Sequence, residues 1–254
     1  MSLPLDQQTV LVTGAGRGLG AAIAAAFAGE GANVAVNYRN SRKQAEELVL
    51  RLGERAAAFG ADVRDGDAIE QMVADVTGRL GAPTTIVHNA LADFSFNGDA
   101  RTKLDVLSWE EVAAHMETGV KGALNLIRAA IPSMRERGFG RIVLIGTNLF
   151  QNPVVPYHDY TAAKAALLSL ARTAAAELGP LGITVNMVSG GLLRTTDASS
   201  ATPESVFDLI AANTPLRRVT TPEELADAVL FFASPWARAV TGQNLIVDGG
   251  LVFN

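Results

Sequence analysis

Seven short runs, most of them continuously apolar and rich in β-branched residues, recur along the chain and alternate with longer stretches dominated by alanine and leucine. The runs are Thr9–Thr13, Asn33–Tyr38, Ala56–Gly60, Thr85–Asn89, Arg141–Gly146, Thr184–Val188 and Asn244–Val247. A strand with one face in water alternates apolar and polar residues; most of these do not, so their sheet must be covered on both sides. The helical stretches between them supply the covering layers and the right-handed crossovers that parallel strands require. The pattern predicts a doubly wound α/β sheet of parallel strands, with function in the crevice at the strands' carboxyl ends. No linker, repeat or low-complexity tract interrupts it, so residues 1–254 are expected to form a single domain.

Local signals agree. Ala21–Ala28 is rich in helix formers, and Pro222 with Glu223 and Glu224 opens a helix after Thr221. Val120, Leu124, Ile127, Ile131 and Met134 recur at helical spacing and are expected to form a core stripe.

Composition removes several function classes. With 48% apolar and 19% charged residues, disorder is excluded. A net charge of −5 repels phosphate backbones and anionic lipid, so neither a nucleic acid nor a membrane is expected as partner. No cysteine is present, which removes disulfides, thiolate nucleophiles and Cys-type zinc sites. His88, His115 and His158 have no metal-ligand spacing, and no metal is expected. MSLPLDQQ lacks the pattern of a leader, and no apolar run approaches ~18 residues, so a cytoplasmic chain is expected.

The first strand runs straight into Thr13-Gly14-Ala15-Gly16-Arg17-Gly18-Leu19-Gly20 and then a helix. Glycines there let the backbone turn tightly and approach a pyrophosphate at the helix N-terminus. The second strand ends Asn37-Tyr38-Arg39-Asn40-Ser41, with no carboxylate where an NAD site holds the ribose hydroxyls. Arg39 can instead pair with a 2′-phosphate, and Arg17 can reach the same group, so the expected cofactor is NADP(H). Asp62, after the third strand, is positioned to accept from the adenine amino group.

Tyr160 and Lys164 stand four residues apart on a helix, on the same face one turn apart. An ammonium beside a phenol lowers its pKa toward the working range of an acid–base group. The chain has only four lysines, which gives this placement weight. Thr147 follows the apolar run Ile142–Ile145 and Gly146, where a hydroxyl at the strand's carboxyl end can hold a carbonyl oxygen.

Together these motifs resemble the short-chain dehydrogenase/reductase family, and within it members similar to 3-oxoacyl-[acyl-carrier-protein] reductase. The resemblance runs nearly end to end: Thr13-Gly14-x-x-x-Gly18-x-Gly20, Asp62-Val63, His88-Asn89-Ala90, Tyr160-x-x-x-Lys164, Val185 to Gly191 and Thr241 to Gly250. It implies a Rossmann-type, seven-stranded parallel sheet and hydride transfer between NADP(H) and a carbonyl–alcohol pair. Tyr160 would be the acid and Thr147, in place of the usual serine, would orient the substrate oxygen. Lys164 would bind the nicotinamide ribose and depress the tyrosine's pKa. Asn89 and Ala90 would pack beside the adenosine ribose; Gly191 and Thr195 would meet the cofactor after the sixth strand.

Several positions depart from the family pattern. Leu91 replaces a glycine, and Gly190 replaces a proline, which is expected to loosen the loop that follows. The family's helical asparagine has no counterpart. Matching through Gly122 gives Gly119, and counting from Trp109 gives Met116, which suggests an insertion of about one turn, roughly 3.6 residues. Thr118 or a carbonyl near Gly119 is the candidate substitute.

Leu91–Asp105 is the least family-like segment, and Phe94 and Phe96 are placed to line the mouth of an apolar pocket whose other wall is Leu192–Pro215. An acidic acyl-carrier protein would need a basic patch, for which Arg128, Arg135, Arg137, Arg141 and Arg172 are candidates. The resemblance implies a homotetramer. Three readings stay open: a 3-oxoacyl thioester reductase, an oxidoreductase of free ketones, secondary alcohols or sugars, and an NADP(H)-binding protein without turnover.

Overall fold

Continuous apolar strands require cover on both faces, and the chain provides it. A computed structural model describes residues 2–94, 96, 100–194 and 196–253. Strands β1 (Thr9–Val12), β2 (Asn33–Tyr38), β3 (Ala56–Gly60), β4 (Thr85–His88), β5 (Gly140–Thr147), β6 (Ile183–Gly190) and β7 (Asn244–Val247) form one sheet in the order β3-β2-β1-β4-β5-β6-β7. Every pairing is parallel. Successive side chains go to opposite faces. On β1, Val10 and Val12 join the core beneath helices α1 (Gly18–Gly29), α2 (Arg42–Leu52) and α8 (Pro222–Ala233), while Leu11 joins the other core. That second core lies beneath α3 (Gly66–Leu80), α5 (Gly122–Arg137) and α6 (His158–Leu178).

The chain leaves β1 outward to β2 and β3, then returns to place β4 on the other side of β1. Loops from these two directions diverge there and leave a crevice at the strands' carboxyl ends. Helix starts follow local chemistry: Asp65 caps α3, and the Thr221–Glu224 capping box with Pro222 opens α8 as the sequence predicts. The remaining helices are α4 (Trp109–Met116), which a Ser108–Glu111 capping box starts, and α7 (Glu204–Asn213). Among the described residues, no helix is long and apolar enough to cross a membrane.

The expected stripe on α5 is only partly core. Ile127 and Met134 are buried, Val120 and Ile131 are half-buried, and Leu124 is 43% exposed. The face against the sheet is set instead by small residues, Gly122, Ala123 and Ala130, which allow close approach. A Cβ at Gly122 would stand 2.8 Å from Val63 Cγ2 and 3.1 Å from His88 Cε1. Between α4 and α5 lies a π-helical turn, Glu117–Lys121. The helix is thus locally irregular at Thr118 and Gly119, in the region where the sequence suggested an insertion.

The Gly190 expectation is also corrected. Gly190 is the last residue of β6, paired with Thr147 and Val247, and a Cβ there would meet Leu225 Cδ1 at 2.5 Å. It is a packed strand residue, required by the approach of α8, and not a loosened hinge. Leu91 has no positive φ, so its turn tolerates a side chain.

Gly122→Ala is expected to destabilise the chain by about 1–3 kcal/mol through overpacking. Gly78→Ala, in α3 with nothing within 4 Å, is expected to stabilise it by roughly 0.5–1 kcal/mol. Denaturant midpoints of the two variants check this contrast.

Candidate active site

The glycine turn is shaped by two left-handed residues, Gly14 at φ +61° and Gly18 at φ +55°. A Cβ on Gly14 would lie 3.0 Å from Ala90 Cα, and one on Gly20 would lie 2.5 Å from the Gly14 carbonyl. Neighbouring amides hold the turn: Asn37 Oδ1 accepts from Gly14 N at 3.2 Å, and Asn89 Nδ2 donates to the carbonyls of Thr13 and Gly14 at 3.0 and 3.1 Å. Bare backbone at the start of α1 therefore faces a cavity of about 790 Å³ over the strand ends.

Nearly all of the expected cofactor residues line this cavity. Gly14, Arg17, Gly18, Leu19 and Gly20 form one wall, Arg39 and Asn40 stand at the end of β2, and Asp62 and Val63 follow β3. Asn89 and Ala90 follow β4, Gly191 follows β6, and Tyr160 and Lys164 project from α6. Thr195 lies outside the described residues. Sequence reasoning missed Asn37, whose signal was an amide inside an otherwise apolar strand, and Asp93 and Asp197, which carried none.

Asp62 is engaged differently from the expectation. Its carboxylate takes three hydrogen bonds from the Arg64 side chain at 2.6–3.1 Å and one from Arg64 N at 3.0 Å. That pairing holds the carboxyl below its usual range. Arg39 and Arg17 face the cleft but are paired, with Asp93 at 3.5 Å and Asp197 at 3.1 Å.

At the far end, Thr147 closes β5 and is buried beneath the cavity wall, its hydroxyl accepting from Leu149 N at 3.3 Å and near enough to the Tyr160 phenol to favour its ionised form. Lys164 is buried with Nζ donating to the Ile145 carbonyl at 2.6 Å, 5.7 Å from the Tyr160 ring centre. The three expected side chains thus converge. The expected direction of the tyrosine shift is reversed: burial pushes the phenol up to about 12, and only the nearby Thr147 hydroxyl opposes it. Burial brings Lys164 down to about 8.

The cause is an aromatic cover. Phe94 stacks on Tyr160 at 4.8 Å between centroids, with His115 and Tyr157 edge-on to Phe94 at 5.3 and 5.1 Å. Phe96 also meets Tyr160, at 5.9 Å, so both phenylalanines line the pocket as expected. Arg101 lies over Phe94 at 4.6 Å and ion-pairs with Asp159, the residue before Tyr160. Asp159 also accepts from Tyr160 N at 2.8 Å and faces His115 Nε2 at 3.4 Å.

One further group ties the site together. His88 Nε2 faces the Thr118 carbonyl in the π-turn at 3.2 Å, and His88 Nδ1 faces the Thr13 hydroxyl at 3.2 Å. A carbonyl only accepts, so Nε2 carries the proton and Nδ1 accepts from Thr13. Burial, with Lys164 nearby, holds His88 down at about 3. The Thr118 carbonyl, near the candidate substitutes for the missing asparagine, therefore already accepts one hydrogen bond, from His88.

A family model described as Enoyl-(Acyl carrier protein) reductase matches residues 14–252. The chain belongs to the short-chain dehydrogenase/reductase family. It is 33% identical over 247 residues to 3-oxoacyl-[acyl-carrier-protein] reductase FabG of Staphylococcus epidermidis, spanning 96% of this chain and 98% of that one. Versicolorin reductase 1 of Aspergillus parasiticus is 35% identical over 262 residues, covering 97% of each. Among solved structures, a 3-oxoacyl-[acyl-carrier protein] reductase from Brucella melitensis superposes with a TM-score of 0.90 at 32% identity, covering 99% of this chain and 93% of that one. A blue fluorescent protein from a metagenomic library, in complex with NADPH, superposes at 0.87 and 34% identity, covering 99% and 100%.

As a short-chain dehydrogenase/reductase, the chain is an oxidoreductase of CH–OH/C=O groups that uses a nicotinamide dinucleotide. The residues fit that group. Added Cβ atoms would fill the cradle at Gly14 and Gly20, and backbone N–H groups at the N-terminus of α1 face a cavity of ample volume.

The depressed lysine has a consequence for stability. Between about pH 8 and 10.5 the native chain sheds the Lys164 proton while the unfolded chain retains it. Stability from this group therefore rises with pH across that window. The raised Tyr160 acts oppositely, but only above pH 10. Between pH 8 and 10, unfolding free energy of the wild type is expected to rise by roughly 1–3 kcal/mol relative to Lys164→Met, measured by denaturant titration.

Proposed function

We propose that the chain is an NADPH-dependent reductase that converts a carbonyl to a secondary alcohol, with a 3-oxoacyl thioester as its leading substrate. The observation that carries the chemistry is the convergence of Thr147, Tyr160 and Lys164 at one end of the cavity, beneath the ends of β5 and β6. The choice of NADPH rests on Arg39 at the end of β2, a strand that itself ends without the carboxylate that would hold both ribose hydroxyls. FabG of S. epidermidis, at 33% identity across nearly the whole chain, supports the thioester.

Bound NADPH supplies the hydride. Tyr160 Oη keeps its proton at neutral pH because burial raises its pKa, so the acid is loaded before a substrate arrives. The Thr147 hydroxyl, near that phenol, would hold a carbonyl oxygen beside it. Lys164, whose Nζ donates to the Ile145 carbonyl, would hold a ribose hydroxyl of the dinucleotide, and its ammonium charge would favour proton release from Oη. Asp159 fixes the first turn of α6 through its bond to Tyr160 N, which sets the direction of the acid. Asn89 and Ala90 would border the ribose, and Gly191 lines the cavity after β6.

An acyl-carrier protein remains the proposed carrier of a thioester. Arg128, Arg135, Arg137 and Arg172 are exposed and available for it. Arg141 is withdrawn from that patch, since it is buried, stacks over Phe139 at 4.2 Å and donates to the Gly140 carbonyl. Assembly as a homotetramer and a cytoplasmic location belong to the same proposal. A second reading, oxidoreduction of a free ketone, secondary alcohol or sugar by the same chemistry, is favoured by the aromatic cover of Phe94 and Phe96 over Tyr160, which narrows the reacting end of the cavity.

Loss of NADPH absorbance is expected with a 3-oxoacyl thioester, beside a panel of free ketones and a parallel NADH series. Tyr160→Phe is expected to lower kcat at least ~100-fold with cofactor affinity retained. Thr147→Val is expected to cost about 100-fold or more, whereas Thr147→Ser keeps most of the rate. Turnover of free ketones alone would select the second reading, and NADPH binding without turnover on any carbonyl would overturn both.

A further inference from the structure

The two arginines facing the dinucleotide cavity stand on different elements, yet each holds a carboxylate from the opposite wall. Arg39, after β2, meets Asp93 of the β4–α4 loop at 3.5 Å, and Arg17, in the glycine turn, meets Asp197 of the β6–α7 loop at 3.1 Å. Both acids also line the cavity. The two loops are joined to each other, since Phe96 N donates to the Ala198 carbonyl at 2.9 Å and Thr202 Oγ1 donates to the Phe96 carbonyl at 3.0 Å. Asp93 precedes Phe94, the residue stacked on Tyr160, so adjacent side chains of one loop reach both ends of the cleft.

Resting on the NADP(H) reading above, we infer that Asp93 is an internal competitor for the 2′-phosphate on Arg39 and so a determinant of dinucleotide selectivity, with Asp197 acting likewise on Arg17. A carboxylate and a phosphate oxygen offer a guanidinium the same kind of partner. A 2′-phosphate must displace Asp93 to reach Arg39, whereas a ribose 2′-hydroxyl carries no charge with which to compete. Asp93 therefore lowers affinity for the phosphorylated dinucleotide selectively. Its side chain is 93% exposed even in the pair, so its release costs little and the penalty is small. Asp93 thus trims the preference for NADPH without abolishing it.

The test measures binding alone, by calorimetric titration of 2′,5′-ADP and of 5′-ADP at low ionic strength. Asp93→Asn is expected to tighten 2′,5′-ADP about two- to fivefold and to leave 5′-ADP unchanged, with the gain fading in high salt. The gain should vanish in an Arg39→Gln background and should not appear in Asp105→Asn, which removes a charge elsewhere on the same loop. Unaltered or weaker binding of 2′,5′-ADP by Asp93→Asn overturns the inference, as does equal tightening of both ligands. If the wild type binds 5′-ADP as well as 2′,5′-ADP, Arg39 is not a phosphate seat and the NADP(H) reading fails. A preference for 2′,5′-ADP that Asp93→Asn leaves unaltered removes the competitor alone.

Discussion

The Thr13 hydroxyl is the joint on which the site depends. It accepts from the backbone N–H groups of Asn89 and Ala90 at 3.0 and 3.1 Å and gives its own hydrogen to His88 Nδ1. These bonds fasten the end of β1 to the end of β4 where the strand order reverses, the place where the sheet must open. Asn89 then reaches back to two carbonyls of the glycine turn, and His88 reaches outward to the π-turn at Thr118. The dinucleotide cradle and the helix beside Tyr160 are thereby held from one point. Buried polar groups this fully paired are costly to disturb singly, because each deletion leaves partners unsatisfied.

Around that joint the cleft is closed by its own side chains. Ion pairs cross the dinucleotide end, and an aromatic stack covers the reacting end. Burial explains why Tyr160 and Lys164 shift in the directions that favour their neutral forms. Both shifts come from burial and ease when a polar ligand replaces the apolar cover, so acid–base behaviour and access to the cleft are physically linked.

Much of this was legible in the sequence because it is written in local chemistry. Strand positions follow from unbroken apolar runs, the glycine turn from residues that alone adopt its backbone, and the α8 start from a capping box. The errors came where a residue's role depends on a distant neighbour. Gly190 read as a loosened loop because Leu225, whose side chain packs against it, lies 35 positions away in the chain. Arg141 read as part of a surface patch, but β5 carries it into the interior over Phe139.

The sequence by itself determined a two-sided parallel sheet, a phosphate-ready glycine turn and a hydroxyl, phenol and ammonium near one strand end. Periodicity, backbone permissiveness and short-range spacing suffice for those. Only the tertiary structure decided the state of these groups: Asp62 engaged by Arg64, the cleft arginines paired with Asp93 and Asp197, and Tyr160 raised rather than lowered. Charge and protonation are set by what surrounds a group in three dimensions, and the loops that supply those surroundings carry no periodic signal.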